Sequence, residues 1–243
     1  MLIIQKYGGT SLLNNERMLA AAKRIAQARE QGSQVVAVVS AQGYTTDTLA
    51  REISNLQPGK FVRETDAFLA AGEQMSAAKM AMTLQSLGVD AVSLTGFQAG
   101  IFTDAAHGDA RITHVETGRI IDELERGRVV VVAGFQGIDR VGDITTLGRG
   151  GSDTTAVALA AYLKADLCQI FTDVDGVYDR DPRKFADAVR FDRICYDAML
   201  ALAQNGAQVL HDRCIELAKE HQVTIRVLSS FSPGAGTVVA GEN

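Results

Sequence analysis

Two glycine-bearing segments hold the residues best suited to chemistry. The first reads Lys6-Tyr7-Gly8-Gly9-Thr10-Ser11. Paired glycines let a backbone turn tightly and bring N–H groups against a phosphate, with Lys6 at the mouth of the turn. A plain turn beside a surface lysine has the same spelling, and two glycines alone do not separate the readings. The second segment reads Thr146-Leu147-Gly148-Arg149-Gly150-Gly151-Ser152-Asp153 and runs into TTAVALAAYL, with Ser152 or Asp153 placed as an N-cap. A helix start offers unpaired N–H donors and the positive end of the dipole. Three glycines around an arginine exceed what a cap requires, which favours an anion site. The two segments match neither GxxxxGK[ST] nor GxGxxG, so a P-loop ATPase and a simple dinucleotide-binding fold are both disfavoured.

Strands and helices must place these loops. Apolar runs rich in valine and isoleucine (2–6, 34–40, 91–94, 128–134, 167–173 and 223–228) alternate with segments of helical period (15–31, 61–87, 115–126, 153–164 and 208–221). That alternation predicts an α/β fold, a three-layer αβα sandwich with a mostly parallel central sheet. No repeat, low-complexity tract or linker interrupts it, so one domain over 1–243 is expected. The glycines gather at strand ends, in YGGTS, AQGYTTD, AGFQG and LGRGGSD. Open α/β sheets bind ligands beyond the carboxyl ends of their strands, so these segments predict one crevice built from several loops.

Composition removes several function classes. The 243 residues are 47% hydrophobic and 22% charged, ordinary for a globular protein. There is no run of 18 apolar residues, and the N-terminus lacks a basic n-region and a small-residue cleavage pattern, so a cytoplasmic protein without a membrane span is expected. A net charge of -5 with no compensating basic run argues against nucleic acid. Three cysteines without a CxxC pair read as reduced, packed side chains. Four histidines form no HExxH set and no serine sits in GxSxG, so zinc-enzyme and hydrolase readings gain no support and no metal ligand set is expected. Asp173, Asp175, Asp179 and Asp181 suggest a calcium loop only loosely, because the EF-hand spacing and closing glutamate are missing.

Together, KYGGTS and TTLGRGGSD resemble the aspartokinases of the amino acid kinase family. The resemblance continues in order through VVSAQGYTTD (38–47), GEQMSAAKMAMTLQSLG (72–88), GFQG (134–137), FTDVDGVYDRDPR (171–183) and GAQVLH (206–211). It covers nearly the whole chain. It implies the amino acid kinase fold, ATP as co-substrate with Mg²⁺, and phosphorylation of L-aspartate to 4-phospho-L-aspartate, the first step towards lysine, threonine and methionine. A homodimer is also expected. Sister kinases acting on acetylglutamate, glutamate, carbamate or UMP lack the combined pattern. A catalytically silent regulatory partner is opposed by the joint retention of Lys6, Glu73, Arg149 and Asp153.

For such a reaction two anions must be brought together, so charge neutralisation and positioning dominate. An aspartate side chain with a pKa of about 3.9 is already ionised at neutral pH and needs no general base. The resemblance therefore gives Asp153 an organising role towards Lys6, while Lys6 follows the transferred phosphoryl oxygens and Gly8 and Gly9 supply backbone donors. Arg149 suits the substrate α-carboxylate, within the loop that includes Gly150, Gly151 and Ser152. Glu73 suits the α-ammonium group. Its surroundings, FLAAGEQMSAA, leave a helix-surface glutamate equally open, and the family pattern places it at the substrate. Ser40 and Thr46 are implied substrate contacts, although either could merely cap the following helix. Thr172, Asp173, Tyr178 and Arg183 are the implied nucleotide residues. Gln208 stands where some relatives have a phosphate-contacting lysine. Aspartokinases usually continue into C-terminal regulatory domains of the ACT type, which are expected to be missing here.

Overall fold

Both faces of the central strands are covered, which is why valine and isoleucine fill them almost without interruption. The computed structural model describes residues 1–206 and 209–241, so Gln208 lies outside the described residues. The first half contains β1 (Leu2–Tyr7), α1 (Asn15–Glu30), β2 (Gln34–Val39), α2 (Thr45–Glu52), α3 (Val62–Ser86), β3 (Ala91–Leu94), β4 (Ile101–Thr103), β5 (Ile112–Val115) and α4 (Gly118–Glu125). The second half contains β6 (Val129–Ala133), β7 (Gln136–Ile138), β8 (Ile144–Thr146), α5 (Gly151–Tyr162), β9 (Leu167–Thr172), β10 (Arg193–Cys195), α6 (Tyr196–Gln204), α7 (Asp212–Glu220), β11 (Ile225–Ser229) and β12 (Thr237–Ala240).

The eight-stranded sheet has the order β10-β12-β11-β9-β1-β2-β6-β3. Its six strands from β11 to β3 are parallel, and β12 returns antiparallel to β11. Alternate residues face opposite layers. Ile4, Val36, Val38, Val130 and Val132 pack with α4, α5 and α7. Val35, Ala37, Val39, Val129 and Val131 pack with α1 and α3 on the other side. Each such valine or isoleucine contributes about 1.5–3 kcal/mol when fully buried, so the sandwich rests on the central strands. Among the described residues, no helix is long and apolar enough to cross a membrane.

All six expected strands form, and they make up the parallel part of the sheet. The smaller four-stranded sheet, ordered β5-β4-β7-β8, was not expected. Its strands are three or four residues long, too short for a period of two to register. The helix expected over 115–126 begins only at Gly118, because Ile112–Val115 pairs with β4 instead. The expected capping of α5 is also corrected. Gly150 is the N-cap at φ +69, so Ser152 and Asp153 lie inside the first turn. A left-handed N-cap is easy for glycine, and starting the helix there frees the Asp153 carboxylate for a partner elsewhere.

Candidate active site

Period two along β1 puts Lys6 on the same face as Ile4, the face that α5 covers. There its Nζ lies 2.6 Å from Asp153 Oδ1 in the first turn of α5, with side-chain exposures of 11% and 14%. Gly8 lies beside the same ammonium: a Cβ built there would stand 3.6 Å from Lys6 Nζ. An ammonium at a strand end, oriented by one carboxylate and flanked by a glycine loop, can meet an incoming phosphoryl group. The pair commits the Asp153 charge to Lys6.

The β1 loop is locked against the loop after β2. Gly43 N–H donates to the Gly9 carbonyl (2.9 Å), and Ser40 N–H donates to Tyr7 (3.1 Å). A side chain at Gly9 would meet the Ala41 carbonyl at 2.8 Å and that of Gly43 at 2.9 Å. Gly9→Ala is therefore expected to force the two loops apart at a cost of about 1–3 kcal/mol. Thermal denaturation checks this, at about 2–4 °C in Tm per kcal/mol for a chain of this size. An unshifted Tm would show that the loops are not in contact. Ser40 and Thr46 flank this junction. Thr46 is not the N-cap of α2, a position taken by Tyr44 without a side-chain bond.

Helix α3 passes beneath the same loop, and Glu73 points into it. Its Oε1 accepts from Ala41 N–H at 3.0 Å. Its Oε2 is buried with no partner among the described residues. Glu73 is 3% exposed, so the helix-surface alternative falls. Burial pushes its carboxyl up to about 7, against the opposing pull of the Ala41 N–H. A buried carboxylate with one oxygen unsatisfied is an acceptor waiting for a cation.

Arg149 stands exposed on the loop that leads into α5. Gly150 lets that loop approach α7: a Cβ there would fall 2.4 Å from His211 Cβ. Phe135 was missed by sequence reasoning. Its φ of +69 is rare for an aromatic residue and costs on the order of 1–3 kcal/mol. The strained turn is held at both ends, its N–H by Thr155 Oγ1 (3.1 Å) and its carbonyl by Leu147 N–H (2.9 Å). It fastens the β6 end to the Arg149 loop. The glycines of GFQG are the one signal that could have pointed to an unusual turn.

Thr172, Asp173, Tyr178 and Arg183 line one cleft of about 780 Å³ at the end of β9. β9 pairs directly with β1, with Ile170 opposite Lys6 and Phe171 opposite Tyr7, so the cleft opens at the end of the strand next to the lysine's. The Tyr178 hydroxyl donates to Asp175 (2.8 Å). Arg183 Nε donates to Asp181 at 3.1 Å, and the side chain is otherwise exposed at the cleft. The far wall comes from Leu202, Asn205 and Gly206 at the end of α6. That helix was not expected, although an apolar run closed by Asn-Gly is a recognisable helix end. His107, Asp139 and Asp143 also approach one another within 4.8 Å, but away from this cleft. Arg63 already occupies Asp143 at 2.6 Å.

The sequence profile of the amino acid kinase family matches residues 1–229. Aspartokinase 2 of Bacillus subtilis (strain 168) is 53% identical over 245 residues, covering 100% of this chain and 59% of its own length. The aspartate kinase structure from Synechocystis superposes with a TM-score of 0.89 at 42% identity, covering 100% of this chain and 40% of that one. E. coli aspartokinase III, solved with aspartate and ADP, gives a TM-score of 0.85 at 26% identity, covering 100% of this chain and 65% of its own. The chain thus spans well under two thirds of the length of the curated relatives it matches. With the profile running from β1 into β11 and relatives about half identical over the whole of it, this chain belongs to the amino acid kinase family.

Proposed function

We propose that the chain carries the catalytic part of an aspartate kinase, transferring the γ-phosphoryl group of ATP to the side-chain carboxylate of L-aspartate. A carboxylate oxygen attacks the γ-phosphorus, the bond from that phosphorus to the β,γ-bridging oxygen breaks, and ADP leaves with 4-phospho-L-aspartate as the other product. No proton moves in this step. Lys6 follows the charge on the phosphoryl oxygens, and Asp153 holds Lys6 in place. Arg149 takes the α-carboxylate, with Ser40, Thr46, Gly150, Gly151 and Ser152 around the bound amino acid.

The observation that carries this reading is the unpaired, buried Oε2 of Glu73. It calls for a cation, and the α-ammonium group of an amino acid supplies one. N-acetylglutamate, carbamate and UMP have no such group. The names of the similar aspartokinases, and the aspartate and ADP bound to E. coli aspartokinase III, support the same acceptor.

The adenosine of ATP fits the cleft after β9, against Tyr178. Mg²⁺ would arrive on the phosphates and supply further charge neutralisation. Of the cleft carboxylates, Asp179 and Asp181 are taken up by Arg180 and Arg183, which leaves Asp173 to meet the ion. ADP release measured with L-aspartate, L-glutamate, N-acetyl-L-glutamate, carbamate and UMP in turn tests the acceptor, L-glutamate being the one alternative that also carries an α-ammonium group for Glu73. Turnover is expected with L-aspartate alone of these five. Turnover with N-acetyl-L-glutamate and none with aspartate would overturn the reading.

A further inference from the structure

Two turns before Glu73 on α3 lies a second buried carboxylate, Asp66, which is 1% exposed and has no part in the chemistry described above. Among the described residues its side chain makes four hydrogen bonds, all to two other segments. Oδ1 accepts from Thr146 Oγ1 at 2.6 Å, and Oδ2 accepts from Thr146 N–H at 3.0 Å. The same Oδ2 meets Gly108 N–H and His107 Nδ1, both at 2.9 Å. Thr146 ends β8 and is the first residue of the loop that carries Arg149.

The helix makes this arrangement a ruler. Positions seven apart lie within about 20° of the same face and about 10 Å apart along the axis. From one face, Glu73 therefore holds the loop after β2 through Ala41, and Asp66 holds the loop before α5 through Thr146. Arg213 of α7 steadies the second loop from behind, donating to the Leu147 carbonyl and pairing with Asp109, the neighbour of Gly108. Three segments thus converge on the foot of the Arg149 loop.

We propose that Asp66 is a positioning residue for acceptor recognition: through Thr146 it sets where Arg149 stands relative to Glu73. The acceptor selected is then an amino acid whose α-carboxylate and α-ammonium match that separation. This inference rests on the reading of the site as one that binds L-aspartate. The side chain of Asp66 touches neither substrate, and its effect passes through the register of one loop.

Thr146→Val is the first test, because it removes a single donor to a buried carboxylate and keeps the shape of the side chain. Hydrogen bonds to charged groups of this kind correspond to about 10–100-fold in an equilibrium constant. The KM for L-aspartate is expected to rise by about 10-fold or more, with the KM for ATP unchanged. Preference for L-aspartate over its α-amide, which lacks the α-carboxylate, should shrink by a similar factor. Asp66→Asn should act in the same direction and more strongly. Should that variant fail to fold, Thr146→Val still decides. Equal rises in both KM values, or a lower Tm with unaltered aspartate kinetics, would leave Asp66 as a fold residue only and overturn the inference. An inactive wild-type protein would overturn the aspartate reading and this inference together. An active one with an unchanged Thr146→Val KM overturns this inference alone.

Discussion

Lys6→Ala is expected to lower kcat by about 10²–10³-fold or more at saturating ATP and L-aspartate, the range found when a single charge-stabilising donor is removed from an active site. The loss falls on kcat because the ammonium contributes most once negative charge has moved onto the oxygens between donor and acceptor. It also strands Asp153, whose carboxylate is only 14% exposed and has Lys6 as its ion-pair partner. Lys6→Arg should not restore the rate. A planar guanidinium fork is a poor substitute for a compact point charge. Steady-state kinetics beside a nucleotide-binding measurement checks both variants. Undiminished turnover in Lys6→Ala would remove the lysine from the mechanism. Asp153→Asn should reduce kcat without removing a limb of its pH profile, because no proton is abstracted.

Glu73→Gln is expected to have two effects of opposite sign. Removing one partner of a buried charge pair with substrate should lower kcat/KM for L-aspartate by about 10²-fold or more. The substrate-free protein should meanwhile become more stable at neutral and higher pH. The folded carboxyl sits at about 7 against an ordinary 4.5, so between these values the folded chain holds a proton that the unfolded chain has released. Stability from this group is thus complete below about 4.5 and is lost as pH rises through about 7. The amide variant escapes that loss, which amounts to about 3 kcal/mol at most, since one pKa unit corresponds to about 1.4 kcal/mol. The wild-type kcat/KM for aspartate should fall as pH drops below about 7, the free-protein value of this carboxyl. Bound ammonium favours the ionised form, so kcat should lack that limb. Denaturation curves and kinetics at pH 5.5 to 8.5 check these effects. A Glu73→Gln protein that is less stable at pH 8 would contradict the buried, unpaired oxygen.

Much of this was legible in the residues. Valine-rich runs such as 34–40 and 128–134 announced parallel strands because a strand buried on both faces must be apolar throughout. Lys6 and Asp153 were expected at one site because glycine loops at strand ends are spelled locally, and the structure pairs the two side chains. Glu73 was ambiguous for a physical reason: its burial depends on the loop carrying Ala41, which lies 32 residues away in the chain. Asp66 and the strained Phe135 were missed for the same reason: Asp66 acquires a role only when α3 meets β8, and Phe135 only when the end of β6 meets Thr155 of α5 and Leu147. The α5 cap was misplaced because serine and aspartate are better caps on average than a left-handed glycine, and the tertiary ion pair with Lys6 decided otherwise.

The most direct test of the account is to trap the product. Incubation with ATP, Mg²⁺, L-aspartate and hydroxylamine converts an acyl phosphate to a hydroxamate, whose mass and position of attachment identify the carboxyl group that was phosphorylated. One equivalent of ADP is expected for each L-aspartate β-hydroxamate formed, as the proposed transfer requires. ADP release without the hydroxamate, or a hydroxamate on the α-carboxyl group, would contradict it.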